Sequence, residues 1–272
     1  MSQALTAYKK PLSILLASAS LLSLCGVLAW QSLLLVCTLC LALVFYRKAL
    51  VQKSALQSSA LWLTVFIVGL TIGLYRPEGF NYPLVFNVDA LHTEGQAFAL
   101  YLNTAKVLAG IAVLVFLLPI SIKKPSLKTA PWQIILTMLV CALMINTLAW
   151  HLLDLQVHTK TLFVILSFLA VNLSVTCLAE EAFMRLLLQG ECLRAVSKFT
   201  ENKLIREGLP LALCTLIFIL THFPSSLNML IVFGLAGFAY GLIYALTKNI
   251  TYAIGLHFSV NALHFLFLTY PL

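Results

Sequence analysis

Charged side chains are scarce in this chain. Asp, Glu, Lys and Arg make up only 10% of its 272 residues, whereas 61% of the residues are hydrophobic, and the mean hydropathy is +1.00. A soluble domain carries about 25% charged residues, so the composition excludes an ordinary soluble protein. The apolar runs are long and do not alternate with polar residues, which is typical of membrane-spanning helices.

Acidic residues are scarcer still, since nine Asp and Glu stand against 17 Lys and Arg and leave a formal net charge of +8. A basic chain suggests a nucleic-acid partner, but here the basic residues fall in short clusters between apolar runs. This distribution is typical of positive-inside topology and argues against nucleic-acid binding. We therefore expect a multi-pass integral membrane protein whose N-terminus is cytoplasmic. The clusters are Lys9-Lys10, Arg47-Lys48 with Lys53, Lys123-Lys124 with Lys128, and residues 194–206.

The predicted fold class is all-α, a polytopic transmembrane helical bundle of about eight to nine spans. Backbone groups in lipid must be hydrogen-bonded within helices or a closed barrel, and a helical span needs about 17–25 residues. No strong internal repeat divides the chain, so residues 1–272 are predicted to form a single membrane domain. Six of the seven cysteines lie in apolar runs, which argues against a disulfide framework. The predicted spans are 11–29, 31–47, 58–75, 98–121, 131–151, 161–188, 208–223, 228–246 and 250–270.

Glu180, Glu181 and Arg185 place ionisable side chains inside the sixth predicted span. A charge there costs about 3 kcal/mol or more, so such residues are functional candidates. Glu181 and Arg185 stand at i and i+4 in the favourable order, and we expect them to pair. Glu180 points about 100° away from that pair and is a candidate general base. The alternative is a charge cluster that merely marks the end of the helix.

Two later spans carry histidines. His222 follows Phe218 by four residues near the end of the seventh span, and His257 precedes Asn261 by four residues in the ninth. His257 and Asn261 therefore share one helix face. Taken alone, His222 fits a structural histidine, and the His257–Asn261 pair fits polar residues that hold helices together. His264 shares their face, but we expect it to be a bystander.

Small residues recur at every fourth position in the eighth span, at Gly237, Gly241 and Ala245. This spacing lets two helix backbones approach closely. We expect it to pack the eighth helix tightly against a neighbour, and we assign it no chemistry.

The three motifs, Glu-Glu-x-x-x-Arg, Phe-x-x-x-His and His-x-x-x-Asn, occur in this order. Together they resemble the CAAX-protease and bacteriocin-processing family of intramembrane proteases, which includes the type II CAAX prenyl endopeptidases. The resemblance covers about residues 162–265, and no motif position departs from the family pattern. It implies a catalytic helical core at 131–272 and accessory helices at 1–130. It also implies an endopeptidase of the bacterial plasma membrane that cleaves a CAAX-type sequence, a peptide precursor or a membrane-protein segment.

The resemblance further implies a role for each motif residue. Glu180 would activate a water that His222 helps to hold, while His257 and Asn261 would stabilise the oxyanion. This mechanism needs no cofactor. In the alternative mechanism, Glu180, His222 and His257 would bind a catalytic zinc ion. Neither histidine has the His-Glu-x-x-His spacing of zincins, so the metal-free mechanism is favoured.

Supporting roles are implied for Glu181, Arg185 and Phe218. A function of a different class also fits the sequence, because buried Glu, His and Arg side chains build the proton relays of transporters and proton-coupled carriers. The absence of paired repeats with broken helices argues against that function. The expected partners are the peptide or membrane-protein substrate and the lipid bilayer. The sequence leaves the oligomeric state open.

Overall fold

The computed structural model describes residues 2–89, 91, 97–121 and 129–270, with the backbone alone for residues 2–7. Among these residues, seven helices are long and apolar enough to cross a membrane, and Thr104–Ile120 is a shorter apolar helix. The predicted all-α polytopic bundle is confirmed. The basic cluster of Lys123, Lys124 and Lys128 lies outside the described residues.

Contacts divide the chain into two compact units, which are Met1–Val85 with Tyr101–Ile120, and Phe86–Leu100 with Ser121–Leu272. The first unit is built on buried apolar side chains of its second helix, such as Leu39 and Leu43. A hydrogen bond of 2.6 Å from Thr104 Oγ1 to the Val27 carbonyl also ties this unit together. Its helices are α1 (Ser2–Leu24), α2 (Trp30–Val51), α3 (Ala55–Leu74) and α4 (Thr104–Leu117).

The second unit carries all three motifs. Its last helix packs against three others of the unit, so residues such as Ala253 and Leu256 are buried. The helices of this unit are α5 (Pro131–Leu152), α6 (Leu162–Val196), α7 (Lys203–Thr221), α8 (Leu227–Thr247) and α9 (Ile250–Phe267).

Two helices begin at residues other than those predicted. α7 begins at Lys203 rather than at 208, because the Asn202 side chain accepts hydrogen bonds from the first backbone N–H groups of the helix. The helix predicted at 98–121 begins only at Thr104. The preceding residues form strand β2 (Phe98–Tyr101), which pairs with β1 (Leu84–Val88).

Beyond α9 the chain turns back along the loop that follows α5. The Thr269 N–H donates to the Gln156 carbonyl at 2.9 Å, and Leu268 forms an antiparallel bridge with Val157. The Lys160 ammonium donates to the Leu268 carbonyl at 2.6 Å. Burial lowers the pKa of Lys160 because the charged form loses hydration. We call this end of the second unit the tail end.

Candidate active site

The winding of α6 changes on both sides of the first motif. Asn172–Cys177 and Ala182–Gln189 are π-helical, whereas the turn between them, Leu178–Glu181, is α-helical. π-Helical turns inside α-helices occur frequently at functional sites. The two segments flank Glu180 and Glu181, so the irregular winding surrounds the candidate base.

One carboxylate, that of Glu181, connects the first and third motifs. Its Oε2 accepts from Arg185 Nε at 2.7 Å, and its Oε1 lies 2.9 Å from His257 Nδ1. The side chains of Glu181 and Arg185 are 0% exposed. A buried charge needs a partner and hydrogen bonds, and Glu181 has both. The Glu181–Arg185 pair predicted from helical spacing is present, but the spacing gave no indication of the contact with His257.

Gln189, which the sequence analysis missed, extends this network to α8. Arg185 Nη1 donates to Gln189 Oε1 at 2.9 Å, and Gln189 Nε2 donates to the Gly241 carbonyl at 2.9 Å. A Cβ atom at Gly241 would lie 2.8 Å from Arg185 Nη1 and 2.5 Å from Leu211 Cδ1. Gly241 therefore makes room for the guanidinium as well as for helix packing. The i+4 spacing from Arg185 to Gln189 was the signal available in the sequence.

Glu180 approaches His257 from the other side of the ring. Its Oε2 lies 3.9 Å from His257 Nε2, and its side chain is 22% exposed. The Tyr240 ring stacks on the imidazole with centroids 4.6 Å apart and planes inclined by 16°. The two nitrogens of His257 thus face different carboxylates, while Tyr240 supports the plane of the ring.

His222 stands where α7 stops. Phe223 follows with a φ of 46°, and the next residue, Pro224, cannot continue a helix. His222 Nδ1 lies 2.7 Å from the Phe218 carbonyl, which can only accept, so Nδ1 carries a proton. The ring centroids of Phe218 and His222 are 4.2 Å apart. A Cβ atom at Gly237 would lie 2.7 Å from the Phe218 ring. The absence of a side chain at Gly237 therefore leaves room for the aromatic ring that packs against His222.

Asn261 contacts the first π-helical segment of α6. Its Nδ2 lies 3.4 Å from Asn172 Oδ1, and Cys177 Sγ lies 3.1 Å from the same oxygen. The same Nδ2 also lies 3.9 Å from Cys177 Sγ. An amide nitrogen has two N–H donors, so one faces Asn172 and the other faces the weakly accepting thiol. Asn172 is a further residue that the sequence analysis missed, although it is a polar side chain in an apolar run.

A cavity of about 320 Å³ in the second unit brings the motifs together. Glu180, His222, His257 and Asn261 all lie in its wall. The catalytic roles of these four residues stay predictions. Other polar or ionisable side chains also line the cavity, and one of them had been expected to be a bystander, namely His264. The others are Asn146, Asn172, Thr176, Tyr240 and Tyr270.

The zinc alternative requires three ligands around one point. Within the described ranges, no three His, Cys, Asp or Glu side chains are grouped so that they could hold a metal ion. His222 Nδ1 faces the Phe218 carbonyl and His257 Nδ1 faces Glu181. These contacts occupy Nδ1 of each ring and leave both Nε2 atoms, which is also how metal-binding histidines are commonly held, so the choice between the metal-free and zinc mechanisms stays a prediction.

Comparison with known families agrees with the motifs. Residues 161–263 match the family described as type II CAAX prenyl endopeptidase Rce1-like. The match covers less than half of the chain but includes all three motifs, and it confirms the resemblance seen in the sequence. No curated protein and no solved structure matches the chain at a significant level.

Proposed function

We propose that this protein is an intramembrane endopeptidase of the CAAX type, which hydrolyses a peptide bond in a membrane-associated peptide or protein. One observation carries the proposal, a single cavity among apolar helices whose wall contains Glu180, His222, His257 and Asn261. The family match supports hydrolysis rather than transport.

Glu180 is the proposed general base. Its carboxylate takes a proton from a water, and the water oxygen attacks the scissile carbonyl carbon. Because His222 donates its Nδ1–H to the Phe218 carbonyl, its Nε2 carries a lone pair that can accept the second proton of the water in a hydrogen bond. This contact aims the water oxygen at the substrate. When the carbon–nitrogen bond breaks, Glu180 returns its proton to the leaving amine.

His257 and Asn261 are the proposed donors to the oxyanion. Asn261 donates the amide N–H that otherwise faces Cys177 Sγ, a weak acceptor at 3.9 Å, and His257 donates through Nε2 when both ring nitrogens carry protons. In that state the two adjacent glutamates are balanced by Arg185 and the His257 ring, so the buried cluster has no net charge. A neutral cluster is the least costly arrangement of ionised groups away from water.

Glu181 and Arg185 position the donors without touching the substrate in this mechanism. Glu181 accepts from His257 Nδ1 at 2.9 Å, which turns Nε2 toward Glu180 at 3.9 Å. Arg185 neutralises Glu181 and is itself anchored on α8 through Gln189. The second glutamate of the motif therefore sets the orientation of the imidazole.

A prenylated peptide that ends in a CAAX sequence is the first substrate to test, because the matched family is described by that activity. Peptide precursors and membrane-protein segments are the other substrate classes. The proposed partners are the substrate and the lipid bilayer.

The test uses the purified full chain in detergent and a farnesylated CAAX peptide, with products identified by mass spectrometry. Glu180→Gln should lower turnover by about 10²–10⁴-fold and leave thermal unfolding nearly unchanged. The matched control is Glu191→Gln, because Glu191 lies on the same helix, pairs with Arg194 at 2.5 Å and does not line the cavity.

Normal turnover in Glu180→Gln would defeat the general-base assignment. A chelator should leave hydrolysis intact. Loss of activity on chelation, with recovery on adding zinc, would favour the metal mechanism instead. If the wild-type chain hydrolyses none of the three substrate classes, the proposed function is wrong.

A further inference from the structure

The two ends of the second unit differ in their basic residues. At one end α6 passes to α7 and α8 passes to α9, and this stretch carries five Lys and Arg residues. Loops at the tail end, which follow α5, α7 and α9, carry only Lys160 among the residues that the structure describes. Lys and Arg next to membrane spans favour the cytoplasmic side, whereas Asp and Glu contribute little. We therefore assign the first end, which we call the basic end, to the cytoplasm. Its five residues are Arg194, Lys198, Lys203, Arg206 and Lys248.

Hydrogen bonds show which helix ends meet on each side. At the basic end, Lys248 Nζ donates to Glu207 Oε2 at 2.6 Å and joins the end of α8 to the start of α7. At the tail end, Asn228 Nδ2 donates to the Leu152 carbonyl at 2.7 Å and joins the start of α8 to the end of α5. The 21 residues of α8 make it about 30 Å long, which matches the thickness of the hydrocarbon core. The basic end and the tail end therefore lie on opposite faces of the membrane.

The cavity is lined by the tail-end portions of the helices. α7 contributes only Phe218 and His222, which lie just before and at its end. On α6 the lining residues stop at Glu180, and residues 181–196, which run to the basic end, contribute none. Tyr270, which follows α9 at the tail end, also lies in the wall. The cavity therefore extends from Glu180 toward the tail end.

A buried layer separates Glu180 from the basic end. Arg185 and Gln189 follow it on α6 in that direction and are 0% and 3% exposed. Gln189 is hydrogen-bonded to the Gly241 carbonyl of α8, and Leu211 of α7, which is 7% exposed, packs on the same glycine. The Glu180 side chain is nevertheless 22% exposed, so solvent reaches it from the cavity rather than through this layer.

The depth of the site sets a condition on the substrate. His257 lies ten residues before the end of α9 at Phe267, which is about 15 Å along the helix axis. An extended peptide advances about 3.3 Å per residue. A segment that enters at the tail end therefore needs about five extended residues between the membrane surface and the scissile bond. The segment that is cleaved must be unstructured over that length.

We infer that the cavity is entered from the non-cytoplasmic face of the membrane, and that the substrate is an extended peptide segment presented on that face. This inference rests on the proposed function and narrows its substrate classes to exported peptide precursors and non-cytoplasmic segments of membrane proteins. A cytoplasmic C-terminus would meet the buried layer of Arg185 and Gln189 instead. Detergent opens both faces to a peptide, so the assay with the farnesylated peptide still tests the chemistry.

The first test locates the entrance without measuring hydrolysis. A membrane-impermeant maleimide is added to right-side-out and to inverted vesicles from bacteria that produce the full chain. Tandem mass spectrometry identifies the labelled residues and separates them from the native cysteines. Thr176→Cys places a thiol in the cavity wall, and Ser197→Cys is the matched control, exposed just beyond α6 at the basic end. Thr176→Cys should be labelled in right-side-out vesicles and lose that labelling in inverted ones, whereas Ser197→Cys should show the reverse.

The second test uses the wild-type chain and so does not depend on the folding of a cysteine variant. The farnesylated CAAX peptide of the detergent assay is extended by a charged tag that keeps it from crossing the membrane, and it is added outside both kinds of vesicle. Hydrolysis should occur in right-side-out vesicles, be lost in inverted ones and be restored there by detergent.

Labelling of Thr176→Cys in inverted vesicles, or in neither kind, would overturn the inferred entrance even if the chain hydrolyses the peptide in detergent. Labelling of Ser197→Cys in right-side-out vesicles would overturn the cytoplasmic assignment of the basic end, and with it the inference. Hydrolysis in inverted vesicles alone would have the same consequence. If labelling follows the expected pattern but detergent reveals no hydrolysis, the entrance is supported and the proposed function is refuted for this substrate.

Discussion

Replacing Glu181 should destabilise the protein far more than replacing Glu180, although the two residues are adjacent. Glu181 and Arg185 are both 0% exposed and joined at 2.7 Å, whereas the Glu180 side chain is 22% exposed toward the cavity. Removing one partner of a buried ion pair costs about 3–5 kcal/mol, because the remaining charge is stranded away from water. Glu181→Gln should therefore lower the unfolding temperature by about 6–20 °C.

The double variant Glu181→Gln with Arg185→Gln should recover part of that loss, because neither charge of the pair remains. Glu180→Gln should leave the unfolding temperature nearly unchanged. A matched pair on the same helix is Glu191 with Arg194, whose side chains are 9% and 29% exposed. Water still reaches Arg194 when Glu191 is replaced, so Glu191→Gln should cost less stability than Glu181→Gln, which strands a fully buried Arg185.

The assay is thermal unfolding of all variants in one detergent, with turnover measured on the same samples. Equal losses of stability in Glu180→Gln and Glu181→Gln would refute the division between a catalytic and a positioning glutamate. A double variant no more stable than Glu181→Gln would refute the stranded charge as the cause. Activity should fall in Glu181→Gln even at temperatures where the variant is folded, since His257 loses the carboxylate that orients it.

Two other predictions follow from the packing and from the proposed oxyanion donors. Gly241→Ala should cost about 1–3 kcal/mol of stability and lower turnover, because its Cβ would lie 2.5 Å from Leu211 Cδ1 and 2.8 Å from Arg185 Nη1. The control is Gly208→Ala, measured for unfolding and turnover, because a Cβ at Gly208 has no neighbour within 4 Å. Equal effects in the two variants would contradict the packing argument. Asn261→Leu should lower kcat by about 10²–10³-fold with little change in KM, as measured by steady-state hydrolysis of the farnesylated peptide. A normal kcat would show that this residue is not an oxyanion donor.

Composition and helical spacing alone establish the class of protein and the local pairs. A chain with 10% charged and 61% hydrophobic residues has too few polar side chains to cover the surface of a soluble protein, so the composition alone indicates a membrane protein. Helical periodicity is enough to place Glu181 beside Arg185, because residues at i and i+4 face each other in every α-helix. The same spacing places Gln189 beside Arg185, and a spacing of seven residues places His264 on the face of His257.

Which helix faces meet depends on long-range packing. The contact between Glu181 and His257 spans 76 residues of sequence, and the one between Gln189 and Gly241 spans 52. No local pattern encodes such distances. The π-helical segments of α6 were not predicted either, since an apolar run with a few polar residues fits several windings. His264 was expected to be a bystander because it lies one turn beyond the His257–Asn261 pair, nearer the far side of the membrane. The cavity whose wall includes His264 forms only where residues of α5, α6, α7, α8 and the segment after α9 pack around α9.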